Sequence, residues 1–186
     1  MVADGLPFEF VFQDNGSYMY ADAPSCSDCT RVLDDQWISP EFELRGPRFD
    51  ISMTTDGCLV ASDRFVEACA SIGGLEFRPI PSEPGFSVVD VTATVRLDEF
   101  ENHIRFGVTC PQCGNQRFVV HDGPLKLAAG QILPDGFSRS ELVFGDTADF
   151  GPDIAIRFAP VVMADESTAR GLKATELRGV HVIAPL

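Results

Sequence analysis

The stretch VTCPQCGNQ (residues 108–116) carries two cysteines separated by two residues, Cys110 and Cys113, and then Gly114. A two-residue spacer lets the chain fold back so that both sulfurs reach one metal ion. Glycine suits the left-handed backbone conformation that such a turn often needs. The stretch is therefore typical of one half of a four-cysteine zinc site, and a second pair of ligands should lie elsewhere in the chain.

The second pair of ligands is found far upstream, in the segment CSDC that holds Cys26 and Cys29. About 15–20 residues separate the two pairs of a compact zinc ribbon. Here the separation is much longer, so a metal ion bound by both pairs would link distant parts of the chain. Four thiolates complete a tetrahedral shell and leave no open position for a catalytic water. We therefore expect one structural Zn²⁺ in zinc-ribbon-like knuckles. Its ligands would be Cys26, Cys29, Cys110 and Cys113.

Three other interpretations of these cysteines stay open: a site that has lost its metal, a disulfide within a pair, and a redox-active CxxC motif. The redox interpretation is the weakest, because such a motif usually lies between a strand and a long helix. No long helix is indicated after either pair. The two remaining cysteines, Cys58 and Cys69, are predicted to be core residues, since a buried thiol behaves as a small hydrophobic group.

Length and charge restrict the classes of function. The chain has 186 residues, which predicts a single domain over 1–186. A net charge of −14 disfavours nucleic acid and anionic membrane as partners and favours a basic protein. The sequence shows neither a membrane-spanning apolar run nor the pattern of a signal peptide, so we expect a cytoplasmic protein.

Hydrophobic periodicity predicts an α+β fold, mostly antiparallel β-sheet with two short helices. The first helix should begin at Ser62 and end at Gly73, with an apolar face that includes Phe65 and Ile72. The second should bury Ala169 and Leu172, with Leu177 as a further candidate, and end at Gly179. Near the N-terminus, FEFVF (8–12) and GSYMYAD (16–22) are separated by a turn signal and predict a β-hairpin.

The chain also shows a weak internal repeat. A strand, a short helix, a glycine and another strand follow each CxxC pair in the same order. This predicts a pseudo-two-fold repeat of strand–helix–strand units, with halves near 1–84 and 85–186. Short strand–helix–strand units commonly look alike, so chance similarity is the alternative.

No catalytic motif is recognisable, and the chain is predicted not to be an enzyme and to have no catalytic or cofactor-binding residues. Each acidic cluster alone is typical of a solvated turn, but together the clusters predict a negative surface for a basic partner. The predicted partner-binding residues are Asp34, Asp35, Glu41, Glu43, Asp98, Glu99 and Glu101.

Two further segments carry a resemblance to a known family. WISP (37–40) follows the first CxxC pair, and LVASDRFVEACASIGGLEFRPI occupies 59–80. With the two pairs, they resemble the double-CxxCG proteins of myxobacteria and, through a related pattern, the Imm43-like immunity proteins. The sequence departs from that pattern at Thr30, where the family has glycine, and in length and segment order.

The resemblance implies a non-enzymatic immunity protein with bound zinc, an antitoxin that binds and neutralises a cognate toxin. The net charge fits independently, because many toxins that act on nucleic acid are basic. The alternative is a zinc-ribbon adaptor that binds nucleic acid or protein. Nucleic-acid binding needs basic residues near the knuckles, and only Arg31, Arg105 and Arg117 lie close to them. An enzyme without a recognisable motif is the third alternative.

Overall fold

The computed structural model describes residues 7–122, 125–147 and 155–184, and within them the chain forms two β-sheets and two short helices. The strands are β1 (Phe8–Phe12), β2 (Ile51–Met53), β3 (Leu59–Ser62), β4 (Leu75–Pro79), β5 (Phe86–Val91), β6 (Thr94–Val95), β7 (Arg105–Phe106), β8 (Phe118–Val120), β9 (Phe137–Asp146), β10 (Ala159–Ala164) and β11 (Val180–Ile183). The helices are α1 (Asp63–Ala68) and α2 (Glu166–Ala174).

The larger sheet has the order β11-β1-β10-β9-β8-β7, with β6 beside β9, and the smaller has the order β2-β3-β5-β4. Among the described strands every pairing is antiparallel except that of β6 with β9. The predicted fold class, mostly antiparallel sheet with two short helices, is confirmed. Of the helices that the structure describes, neither has the length and apolar composition needed to cross a membrane.

Both helices begin at a capping side chain, which the sequence predicts only for the first helix, at Ser62. The Ser62 side chain accepts a hydrogen bond from the backbone N–H of Phe65 in α1, and Asp165 caps α2 in the same way through Ser167 and Thr168. Both helices end earlier than predicted. Helix α1 stops at Ala68, and Leu177 lies beyond the end of α2.

The predicted hairpin of 8–12 with 16–22 is wrong. Strand β1 pairs with β10 and β11, near the other end of the chain. The second segment forms no strand because a buried carboxylate takes its backbone donors: Asp56 accepts hydrogen bonds from the N–H groups of Met19 and Tyr20, at 3.0 and 2.6 Å. Side-chain acceptors of this kind replace a strand partner, and period-two patterning does not reveal them.

The strands before and after each helix are arranged in the same way in the two sheets. We call β1 to β4 with the first cysteine pair the N-terminal half, and β5 to β11 with the second pair the C-terminal half. Strand β5 lies between β3 and β4, and β1 lies between β10 and β11. The registers also agree. Leu75, which begins β4, pairs with Val91, which ends β5; Val180, which begins β11, pairs with Phe12, which ends β1.

The hairpins that precede the helices match as well. Ile51, at the start of β2, pairs with Ala61, and Phe137, at the start of β9, pairs with Ala164. Both alanines directly precede the residue that caps the helix. The C-terminal half has three additional short strands, β6, β7 and β8. Apart from these, both halves have the order strand, cysteine pair, hairpin, helix, strand, and the first strand of each half lies in the sheet of the other. The predicted pseudo-two-fold repeat stays a prediction, and the matched pairings are compatible with it.

A glycine before the last strand of each half makes a close backbone contact with the other half. Gly74 (φ +87°) and Gly179 (φ +94°) are in the left-handed region. A Cβ atom would lie 2.0 Å from the carbonyl oxygen of Phe137 at Gly74 and 2.0 Å from that of Ile51 at Gly179. Any side chain would force these backbones apart, so the two contacts fix how the halves meet.

The main hydrophobic core lies where the two halves meet. Phe10 of β1, Phe65 of α1 and Phe137 of β9 are almost fully buried, and the Phe137 ring lies 5.3 Å from that of Phe10 and 6.4 Å from that of Phe65. Helix α2 adds Ala169 and Leu172 to the same cluster. Each buried Phe or Leu contributes about 1.5–3 kcal/mol. Both sheets and both helices contribute to this core. The core therefore holds together the two halves, each of which supplies one cysteine pair.

Candidate metal centre

The second cysteine pair lies in a tight turn closed by backbone hydrogen bonds. The N–H of Cys110 donates to the carbonyl of Asn115 at 2.8 Å, and that of Gly114 donates to the carbonyl of Cys110 at 2.9 Å. Gly114 has φ +74°, the left-handed conformation predicted for it. The turn therefore presents both sulfurs on one side of the backbone, as a metal-binding knuckle requires.

The first cysteine pair lies in an equivalent turn. The N–H of Cys26 donates to the carbonyl of Arg31 at 2.9 Å, and that of Thr30 donates to the carbonyl of Cys26 at 2.8 Å. Thr30 has φ +59°, so a β-branched residue occupies the position that Gly114 holds in the other knuckle. Its Oγ1 donates to the carbonyl of Cys29 at 2.7 Å. The hydrogen bond offsets part of the backbone strain, and the departure from the CxxCG pattern leaves the turn intact.

The structure brings the four predicted ligands together. The Sγ atoms of Cys26 and Cys110 are 3.8 Å apart, those of Cys29 and Cys113 are 3.7 Å apart, and all four lie within 4.8 Å of one another. A disulfide requires about 2.05 Å, and all four thiols are free. Metal–sulfur bonds of about 2.3 Å in a tetrahedron place the sulfurs about 3.8 Å apart. The cluster could therefore bind one metal ion.

Burial makes the cluster a closed site. Cys26, Cys29 and Cys110 are at most 4% exposed, and Cys113 is half-buried. The two knuckles are also joined outside the sulfurs, since Ser27 Oγ donates to Gln112 Oε1 at 3.0 Å. A metal held here would be surrounded by protein, which is typical of structural sites.

The surroundings change the acidity of the thiols in opposite directions. Burial raises the pKa of Cys29 to about 12. A hydrogen bond from the backbone N–H of Asn115 lowers the pKa of Cys113 to about 7. Backbone donors of this kind stabilise a thiolate, which is the form that binds metal.

Two arginines near the knuckles are already engaged. Arg117 forms an ion pair with Asp28 at 2.7 Å, and Asp28 also accepts from the Cys110 thiol at 3.2 Å. The hydrogen bonds from Cys110 and Arg117 lower the pKa of the Asp28 carboxyl. Arg31 lies over the Phe158 ring, 4.2 Å from its centroid. These cations offset negative charge at the cluster and are poorly placed to contact a polyanion.

The remaining cysteines lie outside the cluster. Cys58 is 0% exposed and belongs to the core that contains Met19 and Tyr20, while Cys69 is 2% exposed and packs in the main core. Burial raises the pKa of Cys58 to about 11 and that of Cys69 to about 12. Their predicted role as core residues is confirmed.

The predicted acidic residues fall into two groups. Asp34, Asp35, Glu41 and Glu43 are exposed in the segment after the first knuckle. Asp98, Glu99 and Glu101 form a turn that leads into β7; Glu99 and Glu101 are exposed, Asp98 is half-buried, and Glu101 forms an ion pair with Lys126 at 2.6 Å.

Sequence reasoning missed Phe100, which lies in the acidic turn and is 84% exposed. Composition alone places it among the core-forming phenylalanines. Its signal in the sequence is the flanking pair of glutamates, because a core residue seldom has carboxylates on both sides in a turn. The acidic turn thus carries an exposed apolar group in addition to its charges.

Comparison with known proteins finds no match among protein-family models and none among the curated proteins. The resemblance to the double-CxxCG proteins stays a prediction.

Proposed function

We propose that the protein is a cytosolic immunity protein that binds and neutralises a basic toxin, and that the four-cysteine cluster holds a structural Zn²⁺. The observation that carries the binding role is the rigid acidic turn with Phe100 at its tip. The sulfur spacing carries the metal assignment, because four cysteine thiols in a closed site are the preferred ligand set of zinc among common metals.

The backbone of the acidic turn is held in place by the buried side-chain amide of Asn102. Asn102 is 0% exposed, and its side chain donates to the carbonyls of Asp98 and Lys126 at 2.6 and 2.8 Å. The Asp98 carboxylate accepts from the N–H groups of Phe100 and Glu101, at 3.1 and 2.9 Å. The turn therefore has a fixed shape, and little conformational entropy is lost when it binds a partner.

Phe100 and its neighbours have the composition of an interface anchor. An exposed aromatic side chain that enters a pocket of the partner supplies much of the binding energy, and charges around it supply specificity and a faster association rate. Glu99 and Glu101 flank Phe100 directly. The surface that fits is an apolar pocket surrounded by Lys and Arg, which agrees with the net charge of −14.

The zinc in this proposal has a structural role only. Cys26 and Cys29 of the N-terminal half and Cys110 and Cys113 of the C-terminal half would hold it, and no coordination position would be left for substrate. The alternative role, a zinc-ribbon adaptor for nucleic acid, is less favoured because Arg31 and Arg117 are engaged within the protein.

The test is a binding measurement with the purified protein encoded directly upstream of this chain in the native genome. We expect tight binding that Phe100→Ala weakens at least tenfold and that Glu99→Lys slows in association. Ile183→Ala is the matched control, because Ile183 is 48% exposed and lies in β11, at the edge of the larger sheet opposite β7, into which the acidic turn leads. An equal loss from Ile183→Ala, or no binding of a cationic partner by the wild type, would contradict the proposal.

A further inference from the structure

A cleft of about 530 Å³ lies between the two sheets and takes residues from the exchanged strands of both halves. Strand β1 contributes Phe10 and Phe12, and strand β5 contributes Val89 and Val91. These four are register counterparts, since Phe12 and Val91 both pair with the first residue of the last strand of the opposite half. The cleft therefore lies at the seam between the halves, and its size is that of a small-molecule site.

The two sides of the cleft differ in chemistry although their backbones match. Met53 of β2 and Arg139 of β9 both line the cleft, and each lies two residues after the start of its strand. Val11 of β1 and Asp90 of β5 are a second such pair. At both positions the N-terminal half has an apolar residue and the C-terminal half a charged one, although elsewhere in the lining the N-terminal half also supplies charged residues, among them Glu9 and Arg78.

Two arginines of the cleft, Arg139 and Arg78, have a buried nitrogen atom with no hydrogen-bond acceptor among the described residues. The Nε atom of Arg139 is buried and has no hydrogen-bond acceptor among the described residues. Leaving a charged donor unpaired in a buried position is costly. In Arg78 only Nη2 lacks an acceptor, because its Nε forms an ion pair with Asp90 at 2.7 Å and its Nη1 donates to the carbonyl of Gln36. Arg139 forms no ion pair with the described residues, so of these two guanidinium groups it is the one that can accept a new anionic partner without losing an existing one.

The charge of the lining limits the ligand. Three arginines line the cleft, Arg78, Arg139 and Arg157. Four carboxylates also line it: Glu9, Asp35, Glu76 and Asp90. The sum, three positive minus four negative, is −1, so a polyanion such as a nucleotide would be repelled. A single anionic group can still pair with Arg139 while its apolar part contacts Phe10, Phe12 and the valines.

We infer that the cleft binds a small molecule with one carboxylate on an apolar chain, and that Arg139 binds the carboxylate. A guanidinium donates charge-assisted hydrogen bonds to a carboxylate, and the apolar lining residues Phe10, Phe12, Val89 and Val91 would remove the chain from water. This site is independent of the proposed toxin binding, which uses the acidic turn.

The experiment is calorimetric titration of the full chain with decanoate below its micellar concentration. We expect saturable binding with one site per chain, and at least tenfold weaker binding to Arg139→Met, which installs the residue of the counterpart position. Arg96→Met is the matched control, because Arg96 is exposed and does not line the cleft. Decyltrimethylammonium, with the same chain and the opposite charge, should bind at least tenfold more weakly than decanoate.

Absence of saturable decanoate binding, equal affinity for decyltrimethylammonium, or undiminished binding to Arg139→Met would each overturn the inference. Circular dichroism and the thermal midpoint check that each variant is folded. Arg139→Gln serves as a second variant if Arg139→Met is not folded. If neither variant folds, the comparison of decanoate with decyltrimethylammonium on the wild-type protein decides.

Discussion

The matched strands of the N-terminal and C-terminal halves have the same order and register, yet the residues at matched positions differ. Ile51 and Phe137 both accept the close approach of a glycine from the other half. By contrast, Thr30 corresponds to Gly114 in the knuckles, and Ser62 corresponds to Asp165 at the helix caps. The close backbone contacts that join the halves therefore occur at matched positions in both, whereas the residues at the caps, turns and cleft differ.

This difference shows which interactions define the fold. Glycine is required where two backbones meet at the seam, and cysteine is required where both halves supply sulfur to one cluster. Matched positions that serve only one half carry different residues, as Thr30 and Gly114 do in the knuckles and Ser62 and Asp165 do at the helix caps. We therefore expect substitutions at the glycines and cysteines that join the two halves to lower the stability strongly and by similar amounts. Substitutions at the caps and turns should have small effects that differ between the halves.

The largest effect is expected from loss of a cysteine ligand. Cys110→Ser and Cys26→Ser should each destabilise the protein by several kcal/mol, and by similar amounts, because both knuckles would lose the same metal. Denaturant unfolding with and without a chelator measures this. Ser27→Ala, which changes an exposed residue within a knuckle, should cost less than about 1 kcal/mol. A wild-type midpoint for Cys110→Ser would be incompatible with a structural site.

The next largest effect is expected at the seam. Gly74→Ala and Gly179→Ala should each cost about 3 kcal/mol or more, because a Cβ atom would meet a carbonyl oxygen at 2.0 Å in a left-handed conformation. Gly171→Ala is the control, since Gly171 lies in α2 and a Cβ atom there would meet no atom within 4 Å; this change should stabilise by about 0.5–1 kcal/mol. Thermal unfolding measures the stability of all three variants. If only one of Gly74→Ala and Gly179→Ala were strongly destabilised, the two backbone contacts would not be equivalent.

The helix caps should differ between the halves. Asp165 accepts hydrogen bonds from Ser167, Thr168 and Gly136, whereas Ser62 accepts one from Phe65 at 3.4 Å. We expect Asp165→Ala to cost about 2 kcal/mol and Ser62→Ala about 0.5–1 kcal/mol. Equal costs measured by denaturant unfolding would show that the extra hydrogen bonds contribute nothing.

The Asp165 cap also predicts a pH dependence. Burial alone would raise the pKa of Asp165, but hydrogen bonds from Thr168, Gly136 and Ser167 hold it at about 2. This lies below the value of about 3.9 in an unfolded chain. The stabilisation is therefore fully present above about pH 5 and is lost as the pH falls toward 2. Acid titration of the wild type and Asp165→Asn should show a shallower loss of stability in the variant.

The smallest effect is expected in the knuckles and should have opposite signs. Thr30→Gly should stabilise the protein by up to about 1 kcal/mol, because glycine adopts the left-handed conformation without strain. Loss of the Thr30 Oγ1 hydrogen bond would reduce this gain. Gly114→Thr should destabilise by about 1 kcal/mol, since nothing lies within 4 Å of a Cβ there and only the backbone is strained. Thermal midpoints that move in the same direction would contradict the equivalence of the two turns.

The sequence predicted the fold class, the start of α1 and the four clustered cysteines, because each depends on a local pattern: alternation, a cap and a two-residue spacer. It did not predict that β1 lies between β10 and β11, since strand pairing across the whole chain leaves no local signal. The failed hairpin shows this directly, because Asp56 satisfies the backbone of Met19 and Tyr20 from a distant segment. The exposure of Phe100 and the cleft around Arg139 depend on tertiary packing and were also missed.

Whether the two halves share one metal ion is decided by the zinc content of the purified protein and of the double variant Cys26→Ser/Cys29→Ser. We expect one zinc ion per chain in the wild type and almost none in the double variant, even though Cys110 and Cys113 remain. A wild-type protein without zinc, or a double variant that retains it, would show that the halves do not share a metal.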